Sequence, residues 1–162
     1  MKGMNIFRNS CAALVALLMA LSSVGQSAQA AQPASIVLAH RVLLYGSSWR
    51  GVYDVLTRHG FRVTVVQQPL TGFGDGVAAT KRAIDQQVGP VVLVGHSYRG
   101  AVITVAGTEP KVKALVYVAG LQPEVGETGG EVAPRVDGSH AVLISQARVV
   151  ARVIEAAARS VQ

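Results

Sequence analysis

The residues best able to do covalent chemistry stand together at Gly95, His96, Ser97 and Tyr98. A serine hydroxyl is a weak nucleophile until a base takes its proton, and histidine is the side chain whose ordinary pKa suits that task near neutrality. A glycine two places before a serine, between an apolar run and a helix-compatible run, is the pattern of a strand-to-helix turn sharp enough to present the hydroxyl at its apex. Val91 to Val94 supply the apolar run, and Ala101 to Ala106 the helical one. The pattern asks for a second small residue two places after the serine, and Arg99 stands there. Arg99 is therefore expected to crowd the turn, and Arg99→Gly to relieve it.

Four histidines compete for the role of base. His96 adjoins Ser97, but adjacent side chains at a tight turn point apart, which makes it a packing residue. His59 precedes Gly60 at the end of a helical pattern, where interaction with the helix C-terminus accounts for it. His40 follows a strand and either lines a pocket or bonds the loop backbone. His140 lies in a loop before the last helical pattern, free to reach the carboxyl edge of a sheet.

The elements that must position these groups alternate. Ser35 to Ala39, Val91 to Val94 and Ala114 to Ala119 are short apolar runs, and Phe61 to Val66 alternates before becoming wholly apolar, as strands of a buried parallel sheet should be. Between them, Ser47 or Ser48 can cap a helix carrying Trp49, Val52, Val55 and Leu56 that stops at Gly60. Asp75 can cap a second helix running to about Gln87, and a third follows Ser97 to about Gly107. Ser145 can cap a last helix to about Arg159. This order predicts an α/β fold, a doubly wound and mainly parallel sheet of about four strands with helices on both faces. The stretch 121–138, broken by Pro123, Gly126, Gly129, Gly130, Pro134 and Gly138, has room for no more than a loop and one short strand near Glu131 to Val136.

Residues 1–30 have a different character. Lys2 and Arg8 precede an apolar run from Cys11 to Leu21, and Ala28, Gln29 and Ala30 close the segment, the layout of a secretory signal peptide. Cleavage there would leave residues 31–162 as a single domain, exported to the periplasm or beyond, without stable membrane anchoring. Cys11 is the one cysteine, so that domain would have no disulfide and no thiolate metal site. Loss of Lys2 and Arg8 takes the formal charge from +6 to +4. The remaining basic residues are scattered rather than clustered with aromatics, which argues against nucleic-acid binding. Gly72, Gly74 and Gly76 lie between a strand and a helix, but their spacing and the intervening Pro69 do not fit a dinucleotide loop. Nothing in the residues fixes an oligomeric state.

Taken together, the strand ending at His40, GSSW at 46–49, PLT at 69–71, VAAT at 77–80, GPVVLVGHSY at 89–98, ALVYVAG at 114–120 and DGSHAV at 137–142 resemble small exported α/β-hydrolases. The resemblance implies an esterase-like serine hydrolase acting on small ester or related acyl substrates, without cofactor or metal. It implies Ser97 as nucleophile and His140 as base. The backbone N–H groups of Tyr98 and Val42 would form the oxyanion hole. The sequence departs from the family at Arg41 and Arg99, where glycines are usual, and in the interval from Glu124 to Asp137, too short for the βα unit that normally carries the acid. That interval reads as an internal deletion of the cap and late-strand region. Glu124 is the first substitute acid and Asp137 the second. The alternative is an inactive remnant that at most binds a ligand.

Overall fold

The structure is a computed structural model and describes residues 33–40, 46–69, 71–122 and 141–161. The expected signal peptide, the irregular stretch with its short strand, and the candidate residues Val42, Glu124, Asp137 and His140 lie outside them.

Four strands form one sheet: β1 (Ser35–Ala39), β2 (Arg62–Val66), β3 (Val91–His96) and β4 (Val112–Val118). They lie in the order β2-β1-β3-β4, and every adjacent pair is parallel. The helices are α1 (Arg50–Arg58), α2 (Phe73–Asp85), α3 (Arg99–Ala106), the single turn α4 (Val142–Ser145) and α5 (Ala147–Ser160). The expected architecture is the observed one.

The strands are apolar on both sides because both faces are covered. Alternate residues of β1 go to opposite cores. Ile36 and Leu38 join Val92, Val94, Val116 and Val118 under Trp49, Val52 and Leu56 of the first helical segment and Val150, Ala151 and Ile154 of α5. Val37 and Ala39 join Leu93 under Ala79, Ala83 and Ile84 of α2 and Ile103 and Ala106 of α3. Helix α1 ends as its sequence predicts. Gly60 takes φ 86, with Gly60 N–H donating to Thr57 and Phe61 N–H to Leu56, which satisfies those two carbonyls of the last turn.

Helix starts differ from the sequence reading. Ser47 and Ser48 fall inside a 3-10 turn, Gly46–Trp49, that leads directly into α1, and no side chain caps the helix. Helix α2 starts two residues before Asp75, which accepts a hydrogen bond from Thr71 from within the first turn. Ser145 ends α4 and donates to the Ala141 carbonyl, so α5 begins after Gln146 without a side-chain cap. In each case a turn of helix or 3-10 helix begins earlier than the capping residue, because tertiary packing supplies what a cap would add.

From β1 the chain leaves through α1, on one face, to β2. From β3 it leaves through α3, on the other face, to β4. Adjacent strands whose connections depart in opposite directions open a crevice at their carboxyl ends, where ligands bind in open α/β sheets. The ends of β1 and β3 are such a pair, and they carry His40 and Ser97.

Candidate active site

Ser97 follows the last residue of β3 and takes φ 57, one of two non-glycine residues in the described chain with positive φ. A serine in the left-handed region is strained and persists only where its surroundings hold it. Here the Ser97 N–H donates to the Val118 carbonyl, and the Ser97 carbonyl accepts from Gly100 and Leu121. The other positive-φ residue, Ala119 at φ 42, ends β4 beside the same turn. Both strained residues therefore sit at the carboxyl edge of the sheet.

Glycines make the turn possible. A β-carbon on Gly95 would lie 2.7 Å from the Arg99 carbonyl oxygen and 2.9 Å from an Ile103 side-chain carbon. Gly100 lies against the backbone of Leu121, and Gly120 faces the Gly95 carbonyl. Gly100, one place beyond the expected position, thus supplies a close approach that the sequence pattern did not single out.

Arg99 does not crowd the turn, contrary to expectation. Its backbone is helical, in the first turn of α3, and its side chain runs to Gly76 of α2, where any β-carbon would overlap Nη1. The residue is 1% exposed. Its Nε donates to the His40 carbonyl at 3.3 Å and its Nη2 to the Pro69 carbonyl at 3.4 Å. The guanidinium carbon stands 5.6 Å from the centroid of the Tyr98 ring. Burial lowers its pKa below the ordinary arginine value, and Tyr98 opposes that shift. Arginine stays protonated even so. Of the three glycines at 72, 74 and 76, only Gly76 is placed where a side chain cannot fit, and it makes room for an arginine rather than a phosphate.

The histidines divide much as their sequence positions imply. His96 is fully buried and meets Trp49 edge-on at 6.2 Å, so it belongs to the core. His40 is buried, and its Nε2 accepts from the Gln68 N–H at 3.5 Å, the loop-backbone bond that was one of its two readings. His59 has a partner that sequence did not reveal: its Nδ1 lies 2.7 Å from Oε1 of Glu155 on α5. The structure therefore places Ser97 and Tyr98 of the expected site together, and His140, Glu124 and Val42 lie outside the described residues.

Tyr98 stands at the N-cap of α3. Among the described residues its amide N–H donates to no backbone carbonyl, whereas those of Ser97, Gly100 and Ala101 all do. A donor at a helix N-terminus is suited to receive developing negative charge. The Tyr98 ring is exposed and meets exposed Phe73 edge-on at 6.2 Å. A separate cavity of about 320 Å³, lined by Gly46, Ser47, Arg50, Tyr53, Val65 and Gln67, opens beside the edge strand β2 and includes neither Ser97 nor Tyr98.

Solved structures share this architecture. A pyrethroid hydrolase from Sphingobium faniae JZ-2 superposes with a TM-score of 0.51 and 25% identity, over 59% of this chain and 43% of its own. The fold is that of the α/β-hydrolases. Other proteins with the α/β-hydrolase fold agree: a bromoperoxidase from Bacillus anthracis (TM-score 0.50, 20% identity, 62% of this chain and 41% of its own) and tomato methylketone synthase I (TM-score 0.53, 19% identity, 71% and 49%). The chain spans about half the length of these α/β-hydrolase-fold proteins, or less. No family model and no curated relative matches the sequence.

Proposed function

We propose that the chain hydrolyses ester or related acyl bonds of small molecules, with Ser97 as nucleophile. Ser97 Oγ attacks the substrate carbonyl carbon while His140 takes its proton. The oxygen that becomes negative is received by the N–H groups of Tyr98 and Val42. Collapse expels the alcohol, which takes the proton back from His140, and water then releases the acid by the same steps in reverse. Glu124 is the first choice for the group that orients His140. No metal or organic cofactor enters the scheme. Export, with 1–30 as signal peptide, belongs to the same reading.

The observation that carries this proposal is the strained Ser97 at φ 57 on a sharp turn at the switch point of the sheet. Backbone strain of this kind concentrates at active sites. One of the similar structures is itself a hydrolase, of pyrethroids. The exposed rings of Phe73 and Tyr98 beside the turn suit an apolar group on the substrate.

A second reading, a non-catalytic remnant that binds a ligand, draws on the chain's spanning about half the length of its structural neighbours or less. Turnover of p-nitrophenyl acetate by the purified chain decides between them. The hydrolase reading expects turnover that disappears in Ser97→Ala and falls at least a hundredfold in His140→Ala, the lower end of general-base contributions, about 10² to 10⁴. Equal background rates in all three proteins would leave only the binding reading.

A further inference from the structure

Arg99 is the largest departure of the serine turn from its motif and is also among the largest fully buried side chains of the domain. A buried cation is destabilising unless its donors are satisfied. Here the acceptors come from two loops far apart in sequence: the His40 carbonyl at the carboxyl end of β1 and the Pro69 carbonyl beyond β2. Arg99 itself belongs to the turn beyond β3. One planar guanidinium thus joins the chain beyond β1 and the chain beyond β2 to the turn beyond β3. Lysine has its donors on one nitrogen, as where Lys111 Nζ reaches the Asp85 and Gln87 carbonyls, so it could not reproduce bonds made from two separate nitrogens of one rigid plane. The space was prepared from the opposite helix, since Gly76 is the position of α2 that any side chain would close.

We propose that Arg99 is a positioning residue that ties the carboxyl ends of β1 and β2 to the serine turn, with Gly76 as its receptor. This role rests on the hydrolase reading of Ser97, because what is positioned is the carboxyl end of β1, at His40, relative to the nucleophile. Arg99 touches no reacting atom. It acts by holding the backbone from which the second oxyanion donor would come. A loop left free to shift by even 1 Å degrades such a site severely.

The test uses the full chain and the variants Arg99→Gly, Arg99→Lys, Gly76→Ala and Arg99→Gly/Gly76→Ala, all assayed well below their unfolding midpoints. Arg99→Gly is expected to lower kcat for p-nitrophenyl acetate at least tenfold with KM within about twofold of the parent, the signature of a loss felt in the transition state. Amide exchange should quicken in both 33–40 and 67–72. Arg99→Lys should fall between the two. Gly76→Ala should reproduce the Arg99→Gly effect and lower the thermal midpoint of the parent.

The sign of the Gly76 effect then reverses. With Arg99 absent, the remaining close neighbour of a β-carbon at 76 is Gln68 Oε1 at 3.3 Å, the far end of a flexible side chain, and alanine in a helix is favoured over glycine, so Gly76→Ala should raise the midpoint of Arg99→Gly. The proposal is overturned if kcat of Arg99→Gly stays within twofold of the parent, if exchange quickens in neither segment, or if the two substitutions add. Should Arg99→Gly fail to fold, Arg99→Lys and Gly76→Ala carry the same kinetic and exchange readouts. Should the parent show no Ser97-dependent turnover, it is the hydrolase reading that has failed. The tie is then judged by exchange and by the sign reversal, and absence of either overturns it.

Discussion

Gly100 lies so close to Leu121 that a β-carbon on it would stand 2.7 Å from the Leu121 nitrogen and nearer still to its carbonyl oxygen. Leu121 N–H in turn donates to the Ser97 carbonyl at 3.0 Å. The floor of the serine turn is therefore a backbone-to-backbone contact between the start of α3 and the chain leaving β4. Nothing flexible is available there to yield to a side chain.

Gly100→Ala should accordingly lower stability by about 1–3 kcal/mol, the usual range for overpacking, with the upper end expected because backbone must move. Gly74→Ala is the control: that β-carbon would meet nothing within 4 Å, and replacing a helical glycine by alanine should stabilise by up to about 1 kcal/mol. Urea denaturation of the two variants measures both. A neutral Gly100→Ala would mean that the turn is looser than its geometry.

Two substitutions at Ser97 separate strain from chemistry. Serine at φ 57 carries a backbone penalty on the order of 1 kcal/mol, which alanine keeps and glycine removes. Ser97→Gly should be more stable than Ser97→Ala by about that amount, and neither should turn over ester. Equal unfolding midpoints for the two would show that the turn is not strained in solution.

Trp49 is fully buried against His96 and is the single tryptophan of the chain. Its indole N–H has no hydrogen-bond partner among the described residues. Trp49→Ala should destabilise by about 3–5 kcal/mol, as large aromatic truncations do. Trp49→Phe keeps most of the packing and removes a buried donor without an acceptor, so it should lose less than half as much. Chemical denaturation followed by circular dichroism compares them, and the emission of the parent should shift to the red on unfolding.

Thr80 links α2 to the segment after β2. Its hydroxyl donates to the Gly76 carbonyl at 2.8 Å and accepts from Gln68 Nε2 at 2.9 Å, all within a buried layer. Thr80→Val strands the Gln68 amide and should lower stability by about 1–3 kcal/mol, whereas Thr80→Ser retains both bonds and should lose markedly less. If valine proves the better substitute in thermal unfolding, Gln68 has another acceptor within reach.

The number of strands, sheet polarity and the serine turn were legible in the sequence because each rests on a local pattern. Ile36 to Ala39 and Val91 to Val94 are apolar at every position, which is what a strand buried on both faces requires. Arg99 was misread for the opposite reason. Its support comes from Gly76 and from the carbonyls of His40 and Pro69, contacts that exist only once the sheet has brought three loops together. The glycines near residue 72 did not fit a loop for phosphates, and their real use, at Gly76 alone, depends on a helix that lies 23 residues further on in the chain. His59 and Glu155 illustrate the same limit, since their pairing joins two helices from opposite ends of the domain. Helix starts were misplaced because Ser48, Asp75 and Ser145 all resemble caps in isolation, while packing lets helical turns begin without one.

The left-handed backbone at Ser97 also sets two demands against each other. Glycine or asparagine would occupy φ 57 with less strain. On the hydrolase reading the chain forgoes that stability to keep a hydroxyl at the turn, so the substitutions that most relax the backbone there are the ones that most surely silence it.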